Sequence, residues 1–220
     1  TGGGQKEGDP NLYLMDWSAD DTTGILDHLR DPNGLGLDPN QFLYWNMDNE
    51  PEIWSGTHDD VYPQQPPVED FMQMYFAVAK RARARFPRIK LVGPVTANEW
   101  QWYNWDNNRI RADGRYYGWL EYFIKRVAEE QQASGVRLLD VLDIHFYPSE
   151  TKPEDIVQLH RVWFDESYKY PGANGVRRLG ASGYERSITK EYILTRCRRW
   201  LDQYLDPNHG VTLGVTEMGI

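Results

Sequence analysis

Residues 42–54 read FLYWNMDNEPEIW, a β-rich run of aromatic and aliphatic residues that ends on Asn49, Glu50 and Pro51. Proline has no N–H to give to a sheet ladder, so it cannot continue a central strand. The strand ends here, and Glu50 stands at its exit, on a rim. In parallel barrels the rim at the carboxyl ends of the strands is where chemistry is done.

Working outward, the segment before it, GILDHLR at 24–30, reads as a short helix stopped by Asp31-Pro32. Behind it, Val68, Phe71, Met72, Tyr75, Val78, Ala79, Ala82 and Phe86 recur at three- and four-residue steps, the spacing of one buried helical face, and Pro87 ends that helix. IKLVGP at 89–94 is a short apolar strand, and the aromatic segment 99–106 reads as a long loop. A helix over 116–135 ends at Gly135, a residue type suited to a helix terminus. LLDVLDIHFYP at 138–148 is the third strand, KPEDIVQLHRVWFDE at 152–166 is helical, and 170–183 is a Gly-rich loop. The last helix covers 187–205 with Ser187 as its N-cap, and VTLGVTE at 211–217 is the last strand.

Strands alternating with helices of this length imply parallel βαβ units, so the fold class is α/β. A doubly wound sheet fits the order too, but no glycine-rich phosphate loop follows the first strand. Four strands are too few to close a barrel of eight. The chain begins without methionine and stops just past a strand, so it is expected to be one catalytic segment, residues 1–220, of a longer protein.

Composition narrows the function. The 220 residues, 40% hydrophobic and 14% aromatic, suffice for a core, and the net charge of −9 argues against a nucleic-acid partner. The basic runs KRARARFPRIK and RCRRW are most simply the solvated faces of helices. The single cysteine, Cys197, rules out an intrachain disulfide and a cysteine metal cluster. No run of about 18 apolar residues occurs, so no membrane partner is expected.

Glu50 and Glu217 each end a predicted strand, and a barrel brings strand ends together on one face. Glycosidic bond cleavage needs such a pair, one acid to protonate the leaving oxygen and one carboxylate to stabilise or attack the anomeric carbon. The bland alternative is two rim acids in ordinary salt bridges. Asn49 can donate to a sugar hydroxyl beside the bond being broken. His145 and Tyr147 lie two apart on one side of a strand. Tyr147 is placed to hold a carboxylate, whereas His145 either touches the site or is a satisfied core histidine. Trp100 and Trp102, with Tyr103 and Trp105, offer faces on which sugar rings stack, and Trp54 joins them as a candidate; core packing accounts for some of the five.

At these residues the chain resembles glycoside hydrolase family 44, within the clan of retaining (β/α)8 hydrolases. The resemblance rests on YWNMDNEPEIW at 44–54, LVGPVTANEW at 91–100, LDIHFYP at 142–148, VWFDESY at 162–168 and LGVTEMGI at 213–220. It implies a TIM-type (β/α)8 barrel of which this chain carries about strands 4 to 7. It also implies Glu50 as general acid/base, Glu217 as nucleophile, Asn49 as a 2-hydroxyl contact and Tyr147 as the nucleophile's partner. The implied substrates are β-1,4 glucans such as carboxymethylcellulose and xyloglucan, attacked internally by a secreted enzyme. The family usually follows its nucleophile with Tyr-Asn, where this chain has Met218 and Gly219. A mannanase or xylanase of the same clan, or a non-catalytic polysaccharide-binding fragment, are the competing readings. No cofactor or catalytic metal is required; the acid-rich loops DPNGLGLDPN and DNNRIRADG offer oxygen ligands for a structural calcium without matching a full calcium-loop spacing.

Overall fold

A computed structural model describes residues 8–170, 173, 177–178, 184–185 and 190–219. Its elements run α1 (Ala19–Arg30), β1 (Tyr44–Asn46), α2 (Trp54–Thr57), α3 (Val68–Arg85), β2 (Lys90–Thr96), α4 (Glu99–Tyr103), β3 (Ile110–Ala112), β4 (Arg115–Tyr117), α5 (Trp119–Ser134), β5 (Val141–Phe146), α6 (Pro153–Ile156), β6 (Arg177–Arg178), β7 (Tyr184–Glu185), α7 (Ile193–Leu205) and β8 (Thr212–Met218). The main sheet has four strands in the order β1-β2-β5-β8, every neighbouring pair parallel. Helices lie in each crossover, the arrangement a parallel sheet requires. This is the α/β architecture of successive (β/α) units, with half the strands of an eight-stranded barrel.

The core lies where α3 and α5 pack. Phe71 and Tyr75 of α3 meet Trp119 and Phe123 of α5 edge to face or tilted, and Trp105 packs against both Phe71 and Trp119. Gly93 is required beneath this cluster, because a Cβ there would stand 2.8 Å from the Tyr75 ring. That close approach lets the buried Tyr75 hydroxyl donate to the Leu138 carbonyl at 2.9 Å.

The amino ends of the strands are tied by Asp140. Its carboxylate accepts from the Leu91 amide at 3.0 Å, from Arg137 Nε at 2.6 Å and from Arg83. Burial opposes its ionisation, but the Leu91 amide and the two guanidinium groups prevail and hold it below the usual carboxylate range.

Several local expectations change. α1 begins at Ala19, not at 24, because Ser18 and Asp21 form a capping box. The expected loop 99–106 contains the short helix α4, and the β3–β4 hairpin takes the residues expected to open the next helix. Its turn, Asp113 and Gly114 at φ 50° and 76°, is an Asp-Gly pair suited to a two-residue hairpin loop. The expected helix over 152–166 is only α6 followed by a 3-10 turn at Leu159–Val162. α7 starts at Ile193; Ser187 lies outside the described residues, as does most of the Gly-rich loop 170–183. In the loop 31–40 the carboxylates of Asp31 and Asp38 accept from the amides of Asn33 and Asn40, each at 2.8 Å, and so close local turns.

Candidate active site

The carboxyl ends of β1, β5 and β8 converge. β1 ends at Asn46, and the chain reaches Glu50 in the left-handed region, φ 48° and ψ 52°, where a side chain is strained. Pro51 then opens a 3-10 turn, Pro51–Ile53; the strand has already ended at Asn46, so the proline starts this turn and does not itself stop the strand. The Glu50 amide donates to the Val95 carbonyl at 2.9 Å, which anchors the strained residue to the end of β2. On β5 and β8 the register pairs His145 with Glu217 after an irregularity between Ile144 and His145.

One oxygen each of Glu50 and Glu217, with one ring nitrogen of His145, all lie within 4.8 Å of one another. His145 Nδ1 is 2.9 Å from Glu50 Oε1 and 3.7 Å from Glu217 Oε2. The Tyr147 hydroxyl donates to Glu217 Oε2 at 2.5 Å. That bond, then desolvation and the charges of Glu217 and Glu50, push the Tyr147 phenol above its ordinary range, so it stays a donor. Glu217 is 44% exposed and Glu50 19%, so both can meet a ligand from solvent, while His145 is fully enclosed behind them. His145 is therefore a buried residue in contact with the site.

Residues with weaker sequence signals complete the arrangement. Asn98 grips the Tyr147 backbone twice, accepting from its amide at 2.9 Å and donating to its carbonyl at 3.2 Å. Thr216 donates to Asp143 at 2.5 Å and lies 3.2 Å from His145 Nε2. Glu52, fully buried, accepts from the Ala97 amide at 2.5 Å. Burial drives its carboxyl up to about 8 despite that bond, with the Glu50 charge adding to the rise. Asp143 lies two residues before His145 and so shares its side of β5, a signal that could have found it; Thr216 adjoins Glu217 and turns inward with it only through the irregularity in the β5–β8 register, and an acid two residues past Glu50 carries no mark.

The predicted sugar platforms divide. Asn49 is exposed beside Glu50, and Trp100 is partly exposed. Trp102 is 0% exposed, packed on Phe146 with its indole N–H donating to the His145 carbonyl at 3.1 Å, so it is core and not a platform. Trp105 is likewise buried. Trp54 is 5% exposed, stacked on Tyr62 with its N–H given to the Asn49 carbonyl at 3.0 Å. It presents no open face at the carboxylates, and borders instead a cavity of about 470 Å³ that Trp17, Asp48 and His58 also line. Among the described residues, Glu50, His145 and Glu217 are the one group of His, Cys, Asp and Glu side chains close enough to hold a metal ion, and no helix is long and apolar enough to cross a membrane.

The chain is similar to several known proteins. A β-mannanase/endoglucanase A of Caldicellulosiruptor saccharolyticus is 25% identical over 145 residues, 64% of this chain and 10% of that protein. Endoglucanase A of Paenibacillus lautus is 26% identical over 106 residues, 47% of this chain and 15% of that protein. The fold matches a family 44 endoglucanase of Clostridium thermocellum with TM-score 0.66 at 20% identity, over 91% of this chain and 39% of that one. It also matches a bifunctional glucanase-xylanase from a metagenome library with TM-score 0.72 at 19% identity, over 96% and 41%. This chain thus spans well under half the length of each of these proteins. The family model of glycoside hydrolase family 44 matches residues 5–150, about two thirds of the sequence, and the chain belongs to that family.

Proposed function

We propose that residues 1–220 form part of the catalytic barrel of a retaining endo-acting glycoside hydrolase that cuts internal β-1,4 bonds of glucans. The observation that carries this reading is the separation of the two acids, whose facing oxygens lie within 4.8 Å. A retaining pair stands roughly 5–5.5 Å apart, whereas an inverting pair leaves about 6.5–9.5 Å for a water. Glu50 protonates the leaving oxygen while Glu217 attacks the anomeric carbon, and the bond between sugar and leaving group breaks as the glycosyl–Glu217 ester forms. Glu50, now ionised, takes a proton from water, which attacks the same carbon and releases Glu217. Tyr147 orients Glu217 by its bond to Oε2, leaving the other oxygen for attack. Asn49 contacts the sugar 2-hydroxyl, and Trp100 offers a stacking face.

The substrate class follows from the family and from one of its structures, a Paenibacillus polymyxa xyloglucanase with xyloglucan, 20% identical over 91% of this chain. Xyloglucan and carboxymethylcellulose are therefore the first substrates, with mannan and xylan as the clan alternatives. Such polymers lie outside the cell, which makes the working location extracellular.

The test is product stereochemistry. The chain is incubated with xyloglucan and with carboxymethylcellulose, and the first reducing ends are followed by proton NMR. The β-anomer appearing first, and its loss in Glu50→Gln and Glu217→Gln, supports the reading. The α-anomer first overturns retention. Binding without turnover, unchanged by Glu50→Gln, replaces the hydrolase with a polysaccharide binder.

A further inference from the structure

Behind the two carboxylates the hydrogen bonds can be counted proton by proton. Thr216 Oγ1 has one hydrogen and two neighbours, Asp143 Oδ2 at 2.5 Å and His145 Nε2 at 3.2 Å. A hydroxyl bonded to a carboxylate lies at about 2.5–2.7 Å; burial raises the Asp143 pKa while the Thr216 hydroxyl lowers it, and in its ionised form Asp143 only accepts, so the hydrogen then points at Asp143. Thr216 then turns a lone pair toward Nε2, and Nε2 must carry the hydrogen of that contact. The other ring nitrogen, Nδ1, faces Glu50 Oε1 at 2.9 Å. If the ring is neutral, bare Nδ1 accepts from protonated Glu50; if it is cationic, Nδ1 donates to the Glu50 carboxylate. In both cases one proton lies between His145 and Glu50.

Space is kept for this chain. Asp143 and His145 are both 0% exposed. Gly214 pairs with Asp143 across the sheet, and a Cβ there would stand 2.8 Å from Asp143 Oδ1. The ionisable neighbours of the ring are Asp143 on β5 itself, Glu50 beyond β1, and Glu217 on β8, with the Tyr147 ring edge-on at 6.5 Å.

We propose that Asp143 and Thr216 are positioning residues that hold a proton on His145 Nε2, and so keep a single shared proton at the His145 Nδ1–Glu50 Oε1 contact. Where Glu50 is the acid/base of the proposed reaction, this is the proton that passes to the leaving oxygen, and the proton taken from water restores it. That consequence rests on the functional reading above; the protonation pattern does not.

The experiment is nitrogen NMR of the full chain with 15N-labelled histidine, at neutral pH and without substrate. The wild type is expected to show a protonated Nε2, and Thr216→Ser, which keeps the hydroxyl, the same spectrum. Thr216→Val leaves a buried Nε2–H without an acceptor and is expected to shift the ring toward the Nδ1–H form by about tenfold. A wild-type ring with bare Nε2, or a folded Thr216→Val variant with an unchanged spectrum, overturns the proposal. Should the valine variant not fold, the wild-type and serine spectra decide it. Protonated Nε2 in a chain that hydrolyses no polysaccharide counts only against the reaction, while bare Nε2 in an active chain counts only against the relay.

Discussion

A side chain at position 219 would place its Cβ 2.8 Å from Tyr147 Cδ1. Gly219 thus keeps the space that Tyr147 occupies while it donates to Glu217. Gly219→Ala is expected to displace the phenol and lower kcat by roughly tenfold to a hundredfold, the range for a bond to a charged group. Tyr147→Phe should lose a similar amount, and the double variant should lose no more than either alone. Additive losses in that cycle would show that Gly219 acts elsewhere.

Glu52 supplies a pH dependence of stability. Burial pushes its carboxyl up to about 8 in the folded state, above the ordinary 4.5, so the folded state binds the extra proton between them. Stability therefore falls as pH rises through that window, by roughly 1.4 kcal/mol per pH unit at most. Urea unfolding from pH 5 to 8 should show the decline, and Glu52→Gln, neutral throughout, should flatten it. An unchanged slope in the glutamine variant would assign the dependence to another group.

At the opposite rim, Asp140→Ala removes the carboxylate partner of Arg83 and Arg137, which keep only backbone carbonyl acceptors, and the acceptor of the Leu91 amide. A loss of about 2 kcal/mol or more is expected by chemical denaturation. A change under 0.5 kcal/mol would mean that water replaces the whole network.

The two tryptophans of α4 should separate cleanly. Trp102→Ala empties a fully buried site and is expected to cost about 3–5 kcal/mol of stability. Trp100→Ala, at a partly exposed position, should leave stability nearly intact and weaken polysaccharide binding by roughly 1 kcal/mol or more, read by affinity electrophoresis. The reverse pattern would exchange their roles.

The strong periodic signals were readable. The helical face from Val68 to Phe86, the apolar strands and the proline after Glu50 each report one dominant local force, so the order of parallel units followed from them. Glu50, His145, Tyr147 and Glu217 could be named because strand ends and alternation fix which side chains share a face. The aromatic segment could not be sorted, because Trp100 and Trp102 have the same composition signal and only packing on Phe146 buries one of them. Likewise, the break after α6 and the inward partnership of Asp143 with Thr216 depend on contacts between elements far apart in the chain.

β5 carries Asp140 just before its first residue and His145 near its last, about 16 Å apart at the usual rise of an extended chain. Changes that far apart and sharing no partner combine additively in free energy. The strand thus works as a spacer with separately adjustable ends. Heat tolerance can be engineered through the arginine cluster around Asp140 while the acid pair at the other rim keeps its geometry. Conversely, a variant weakened by a change beside Glu217 can be rescued from the far end of the same strand.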